Sequence, residues 1–151
     1  TDIRINLECK DELRKWNIFE KRKYEEKNII FCHGSPYSFK DKLEKGGEDL
    51  IRIEEKIKKE NAEFIFCGHT HKKEDFKIEN KEIINFGAIG YPYDKTAKTR
   101  YGIIEIDNGI KVNFIELDYE IEKYKKDVRN KKLSWGEELL FNLENGLSGR
   151  F

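Results

Sequence analysis

The stretch Phe64-Ile65-Phe66-Cys67-Gly68-His69-Thr70-His71 is a fully apolar run that leads straight into a glycine and two histidines. A second stretch has the same form: Ile29-Ile30-Phe31-Cys32 leads into His33-Gly34-Ser35-Pro36. The chain has three histidines, and all of them sit in these two places. Each apolar run reads as a short strand, and a strand end is a rigid place from which to aim a side chain. Glycine beside it lets backbone or ligand approach closely. His69 and His71 are two apart, so in extended backbone both imidazoles point to one side. Such a pair reaches one metal or two neighbouring metals, and imidazole suits Zn, Fe and other transition ions. Each histidine alone also reads as a hydrogen-bonded polar strand terminus. The joint arrangement, using every histidine in the chain, favours a site.

The flanking sequence supplies the rest of a layered fold. Residues 9–16 suit a short helix, and Ile18 to Tyr24 alternates as a strand before the turn at 25–28. After a loop from Gly34 to Gly47, Leu50, Ile53, Ile57 and the neighbouring Ile51 give an apolar stripe at helical spacing over about residues 48–60. Strands fit Glu74 to Ile78 and Glu82 to Phe86, followed by a loop from Gly87 to Gly90. Tyr101 to Ile106 and Ile110 to Leu117 form the clearest hairpin, because Asn108-Gly109 suits the positive φ angles of a type I′ turn. Tyr119 to Asn145 reads as helix interrupted near Ser134, which is placed to cap a last helix with Glu137 in a capping box. Doubly buried strands flanked by amphipathic helices give an α/β (α+β) class, and adjacent hairpins favour mixed sheets over a purely parallel one.

Composition narrows the function classes. At 151 residues the chain suits one domain spanning 1–151. Thirty basic residues balance thirty acidic ones, so the basic surplus of a nucleic-acid-binding domain is missing and nucleic acid is not an expected partner. The apolar runs are far too short to span a bilayer, so no membrane partner is expected. The start shows no signal-peptide pattern. Cys9, Cys32 and Cys67 are odd in number and far apart, which fits reduced, mostly buried thiols and a cytoplasmic location. Cys32 precedes His33 in a strand, so it faces the opposite way, toward the core, as does Cys67.

The residues 62–71 and 28–36 carry a specific resemblance. Phe66-Cys67-Gly68-His69-Thr70-His71 resembles the Gly-His-x-His motif of the calcineurin-like metallophosphoesterase superfamily, and Cys32-His33-Gly34-Ser35-Pro36 resembles the His-Gly-Ser-Pro motif of its bacterial and archaeal branch. Glu82 to Pro92 is similar to that family's Asn-Pro-Gly-Ser-x-Gly segment, and Thr99 to Asp107 to the strand after it. The four segments keep the family's order and spacing from about Ile18 to Glu120. The resemblance implies the C-terminal half of a four-layer αββα sandwich. It implies His33 and His69 on one divalent metal and His71 on a second, with Mn²⁺ expected first and Fe, Zn, Ni or Co as alternatives. It further implies a phosphodiesterase or phosphatase acting on a small-molecule or nucleotide phosphate ester. In that chemistry two ions about 3.5–4 Å apart hold a bridging hydroxide that attacks phosphorus in line.

Two departures from the family pattern bear on these expectations. Phe86 and Ala88 stand where the family reads Pro and Ser, which affects loop shape rather than ligands. The family's Asp-x-His, Gly-Asp-x-x-Asp and Gly-Asn-His-Asp/Glu motifs are nowhere in the chain. The expectation is therefore a C-terminal portion of one domain, inactive alone. Its partner would be an N-terminal half, roughly the first hundred residues, carrying the bridging carboxylate and the catalytic histidine. No catalytic residue is assigned within the chain. The alternatives are a non-catalytic protein-binding scaffold on the same fold and a structural zinc site of Cys67, His69 and His71. Tyr91, Tyr93, Asp94, Lys95, Lys98 and Arg100 follow the glycine loop and read either as substrate-facing or as an ordinary solvated loop.

Overall fold

The apolar runs form the centre of a five-stranded sheet, and the charged runs form its edges. A computed structural model of the protein describes residues 6–147. In chain order the elements are α1 (Leu7–Arg14), β1 (Phe19–Tyr24), β2 (Lys27–Cys32), α2 (Glu48–Lys59), β3 (Phe64–Cys67), β4 (Lys73–Ile78) and β5 (Lys81–Phe86). They are followed by β6 (Thr99–Ile106), β7 (Ile110–Leu117), α3 (Ile121–Lys131) and α4 (Gly136–Asn145). The sheet order is β1-β2-β3-β5-β4, while β6 and β7 pair as a separate two-stranded sheet. The central pairs β2–β3 and β3–β5 are parallel; the outer pairs β1–β2 and β4–β5 are antiparallel. The sheet is mixed, as expected. β1 is almost wholly exposed, and its sequence Phe-Glu-Lys-Arg-Lys-Tyr puts charge on the open edge, where it discourages pairing with another chain.

Alternation along the central strands divides the apolar residues between two faces. Ile30, Ile65 and Ile83 face α2, which presents Leu50, Ile53 and Ile57 to them, with Leu43 and Phe76 completing this core. Ile29, Phe66 and Ile84 face the other way, onto Ile104, Ile106, Val112 and Phe114 of the β6–β7 hairpin. On that side Phe66 stacks between Phe31 and Phe86, with ring centroids 5.4 and 5.7 Å away. Each fully buried Ile or Phe contributes roughly 1.5–3 kcal/mol of burial, so the two faces together dominate the stability. Helix, sheet and second sheet thus stack in three layers. The α3–α4 pair packs through Val128, Leu139, Leu140 and Leu143, with Tyr91 and Ile121 against it.

Phe86, the residue that departs from the family's Pro, has a specific place. A Cβ on Gly102 would lie 1.8 Å from its ring, so the ring occupies space that only a glycine in β6 leaves open. Phe86 then tilts against Phe114, 5.4 Å away, and locks the hairpin onto the main sheet.

Four local expectations need correction. Ile51 is 66% exposed, because it lies about 100° round the helix from Leu50 and outside the buried stripe. Ile106 pairs with Ile110, so the hairpin loop has three residues (107–109) rather than the two of a type I′ turn, although Asn108 and Gly109 do take positive φ. Ser134 does not cap α4. Gly136 N–H donates to Leu133 O, which tightens the turn and moves the N-cap to Trp135, with no side-chain capping bond. Finally, Cys9 is exposed, whereas Cys67 is buried and Cys32 half-buried against the α2 core; all three are free. Among the described residues, no helix is long and apolar enough to cross a membrane.

Candidate functional site

In an open sheet with parallel central strands, ligands bind beyond the carboxyl ends of those strands. All three histidines lie there. β2 ends at Cys32 and delivers His33; β3 ends at Cys67 and delivers Gly68, His69, Thr70 and His71. The parallel register aligns Phe31 with Phe66, and it continues one step past the strands through Gly68 N–H donating to His33 O at 2.8 Å. The two strand ends are therefore level. His33 Nε2 and His69 Nδ1 come within 3.2 Å, with the rings edge to face.

The backbone that achieves this is not the extended one expected from His-x-His. His69 and His71 have φ of +67° and +57°, both in the left-handed region. Thr70 N–H donates to Gly68 O at 2.7 Å, so Gly68, His69 and Thr70 form a three-residue γ-turn of the rare, positive-φ kind. The chain turns sharply at each histidine instead of running on, which separates the two rings. His69 meets His33. His71 turns toward the loop after β5, where its Nδ1 lies 2.8 Å from Tyr91 O and its ring stacks on Tyr93 at 5.4 Å. Tyr91 and Lys95 in that loop are also left-handed. Such residues cost of order 1–3 kcal/mol each and cluster at functional sites.

The ring nitrogens of the three histidines decide what the site could hold. A carbonyl oxygen can only accept, so His71 Nδ1 carries the proton in this contact and Nε2 keeps its lone pair; a backbone carbonyl of this kind commonly orients a metal-bound imidazole. The His33 ring is exposed, but partial desolvation holds it below the ordinary histidine range, with His69 and His71 adding to the effect, and this favours the neutral form that a metal needs. At metal–nitrogen lengths of about 2.0–2.1 Å, two imidazole ligands of one ion have nitrogens roughly 3.0–3.4 Å apart. The 3.2 Å between His33 and His69 fits that spacing. The chain's own residues thus fit part of a ligand set. Among the described residues, no group of three or more His, Cys, Asp or Glu side chains gathers into a full one.

The zinc arrangement of Cys67, His69 and His71 does not form. Cys67 points into the α2 core beside Ile65 and Ile83, and burial raises its thiol, helped by Cys32 and Glu74. Cys32 also packs against that core, with its thiol pushed up to about 12 by burial.

Beside His69 and His71, but not lined by His33, opens a cleft of about 1010 Å³. His69, His71, Tyr93, Asp94 and Lys95 line it, so part of the post-glycine loop does face the site. Lys42 and Lys72 add positive charge, and Glu44 pairs with Lys72 at 2.9 Å. Arg100 does not reach the cleft as a free cation. It is 10% exposed and paired with Asp94 and with Glu116, at 2.7 Å from the latter. Lys98 lies 3.9 Å from Asp118. Two buried groups that sequence reasoning passed over hold the surroundings. Ser35 bonds Asp41 at 2.5 Å, and Asp41 pairs with Arg52 of α2, fixing the loop after His33. Asn142 of α4 donates to Pro92 O at 2.5 Å and fixes the loop that carries Tyr91 and Tyr93.

A calcineurin-like phosphoesterase superfamily domain matches residues 6–109, well over half of the sequence. The chain belongs to that superfamily. Among solved structures, this superfamily member is similar to a hypothetical protein from Pyrococcus horikoshii OT3, with TM-score 0.70 and 22% identity over 92% of this chain and 54% of the other. It is also similar to a metallophosphoesterase from Sphaerobacter thermophilus, with TM-score 0.66 and 20% identity over 97% of this chain and 66% of the other. At these identities the likeness is one of fold. The chain spans about half the length of the first relative and about two thirds of the second. No curated protein matches it significantly.

Proposed function

We propose that this phosphoesterase-fold chain contributes His33, His69 and His71 to a divalent-metal centre that hydrolyses a phosphate ester. The observation that carries the reading is the approach of His33 and His69 from two different strands to 3.2 Å, the spacing of two nitrogens on one ion. His33 and His69 would hold one ion, and His71 Nε2, freed by the bond from Nδ1 to Tyr91 O, would serve a second. Divalent ions bound there would supply Lewis-acid activation of water and of the phosphoryl oxygens, with Mn²⁺ the first choice. The chain's own part is to fix the imidazoles at strand ends. Lys42, Lys72 and Lys95 on the cleft wall would attract the anionic ester, a small molecule or nucleotide. The carboxylate ligands and a catalytic histidine would come from protein beyond this chain, which accords with the 54% of the Pyrococcus horikoshii protein that it spans. A cytoplasmic location belongs to the same proposal.

The test is made on the complete protein. Metal content by mass spectrometry and hydrolysis of bis-p-nitrophenyl phosphate with added Mn²⁺ are measured for wild type and for His33→Ala, His69→Ala and His71→Ala. Each variant should lose bound metal and most of its turnover while melting close to wild type. Variants that keep wild-type metal content and turnover would reduce the histidines to polar strand termini.

A further inference from the structure

Asn85 is a polar residue in an apolar strand. It follows Ile83 and Ile84 in β5, and all three are 0% exposed. A buried amide without partners costs roughly 1–3 kcal/mol, so its hydrogen bonds must be found. Its Nδ2 donates to Gly68 O at 2.7 Å and to Thr70 Oγ1 at 3.0 Å. Its Oδ1 accepts from Gly87 N–H at 2.9 Å. The two donated bonds fall on either side of His69, and β5 is in register to make them, because Asn85 pairs with Cys67, the last residue of β3.

We propose that Asn85 is the positioning residue of the site: from the buried end of β5 it clamps the Gly68–Thr70 turn and so delivers His69 to His33. This rests on the metal-centre reading for its functional consequence, though not for its geometry. Gly68 O takes both the γ-turn bond from Thr70 N–H and the bond from Asn85, each at 2.7 Å. Thr70 is 4% exposed, and its hydroxyl accepts from Asn85 Nδ2 at 3.0 Å and from Lys72 N–H at 3.3 Å. A γ-turn with positive φ does not hold itself together against an ordinary chain path. The clamp over-determines it. The third bond, to Gly87 N–H, ties the start of the glycine loop to the same amide, so the loop carrying Tyr91 and the turn carrying His69 are held by one side chain. No other residue type does this from position 85. Asp lacks both donors, Leu lacks all three bonds, and Gln is a methylene too long.

The experiment uses the complete protein with Asn85→Ala, Thr70→Val and Ile84→Ala. Ile84 lies beside Asn85 in β5 with its side chain in the opposite-face core, so Ile84→Ala controls for lost stability. Two properties are read. In the metal-free protein, the nuclear Overhauser contact between the His33 and His69 rings reports their approach. In the second arm, the visible absorption of added Co²⁺ reports coordination and affinity. Wild type should show the ring contact. Asn85→Ala should lose it and bind Co²⁺ roughly 10–100-fold more weakly, the usual effect of removing an outer-shell support. Thr70→Val, which deletes one clamp bond at nearly constant volume, should move both readouts the same way by less. Ile84→Ala should keep both despite a lower melting temperature. Intact ring contact in Asn85→Ala overturns the inference. Should that variant not fold, an unchanged ring contact in Thr70→Val overturns it instead, as does a wild type without the contact. A wild type that shows the contact but binds no Co²⁺ defeats the metal-centre reading alone, and the ring contact then decides for Asn85.

Discussion

Replacing His69 by glycine should stabilise the protein relative to His69→Ala while abolishing the same function. The residue sits at φ +67° in the centre of a γ-turn. A left-handed conformation costs a residue with a Cβ roughly 1–2 kcal/mol, and glycine escapes that cost. Glycine also makes the unfolded chain freer, which takes back about 0.4–1 kcal/mol. The difference leaves Gly ahead of Ala by about 1 kcal/mol, or about 2–4 °C in melting temperature for a chain of 150–250 residues. Both variants remove the His69 ligand nitrogen, so both should lose the share of Mn²⁺ stabilisation from the ion held with His33; for one site at 100 times the dissociation constant that share is about 2.7 kcal/mol. The assay is thermal unfolding of wild type, His69→Gly and His69→Ala, each with and without Mn²⁺. Without metal, His69→Gly should melt above His69→Ala. With metal, both variants should shift upward by less than wild type. If His69→Gly melts at or below His69→Ala, the turn does not hold the strained conformation and the argument for a tensioned site fails. If either variant keeps the full Mn²⁺ shift, His69 is not a ligand.

Two further outcomes follow from the packing. Gly102→Ala should cost about 1–3 kcal/mol by urea unfolding, since its Cβ would fall 1.8 Å from the Phe86 ring, and Phe86→Leu should recover part of the loss; an unchanged unfolding midpoint would show that Phe86 does not lie across Gly102. Cys32→Ala should lower stability by about 1 kcal/mol and leave Mn²⁺ binding intact, because the thiol packs against the α2 core, away from the proposed ligand His33; loss of metal with stability retained would reverse that assignment.

The fold and the placement of the three histidines at strand ends were legible in the sequence for a simple reason: both are written in short local patterns. The short apolar runs at 29–32 and 64–67, bounded by turn signals, read as buried strands and form β2 and β3, with their histidines just past the strand ends. The 3.6-residue spacing of Leu50, Ile53 and Ile57 likewise required a helix over one face. The family resemblance rested on those same segments. What the sequence did not carry were angles and partners set across the chain. His-x-His in extended backbone sends both rings one way, whereas the left-handed turn sends His69 to His33 and His71 to Tyr91 O. That turn is stable because of Asn85, fifteen or more residues away in sequence from the groups it bonds at Gly68 and Thr70. The available signals were a polar residue interrupting Ile83-Ile84-Asn85-Phe86 and its place at the start of the segment similar to the family's Asn-Pro-Gly-Ser-x-Gly, and neither names the partners of the amide. Local pattern fixes which residues leave the sheet at its carboxyl edge, because period and polarity are properties of neighbours. Which way those residues then turn depends on hydrogen bonds between strands, and those exist only once β2, β3 and β5 lie side by side.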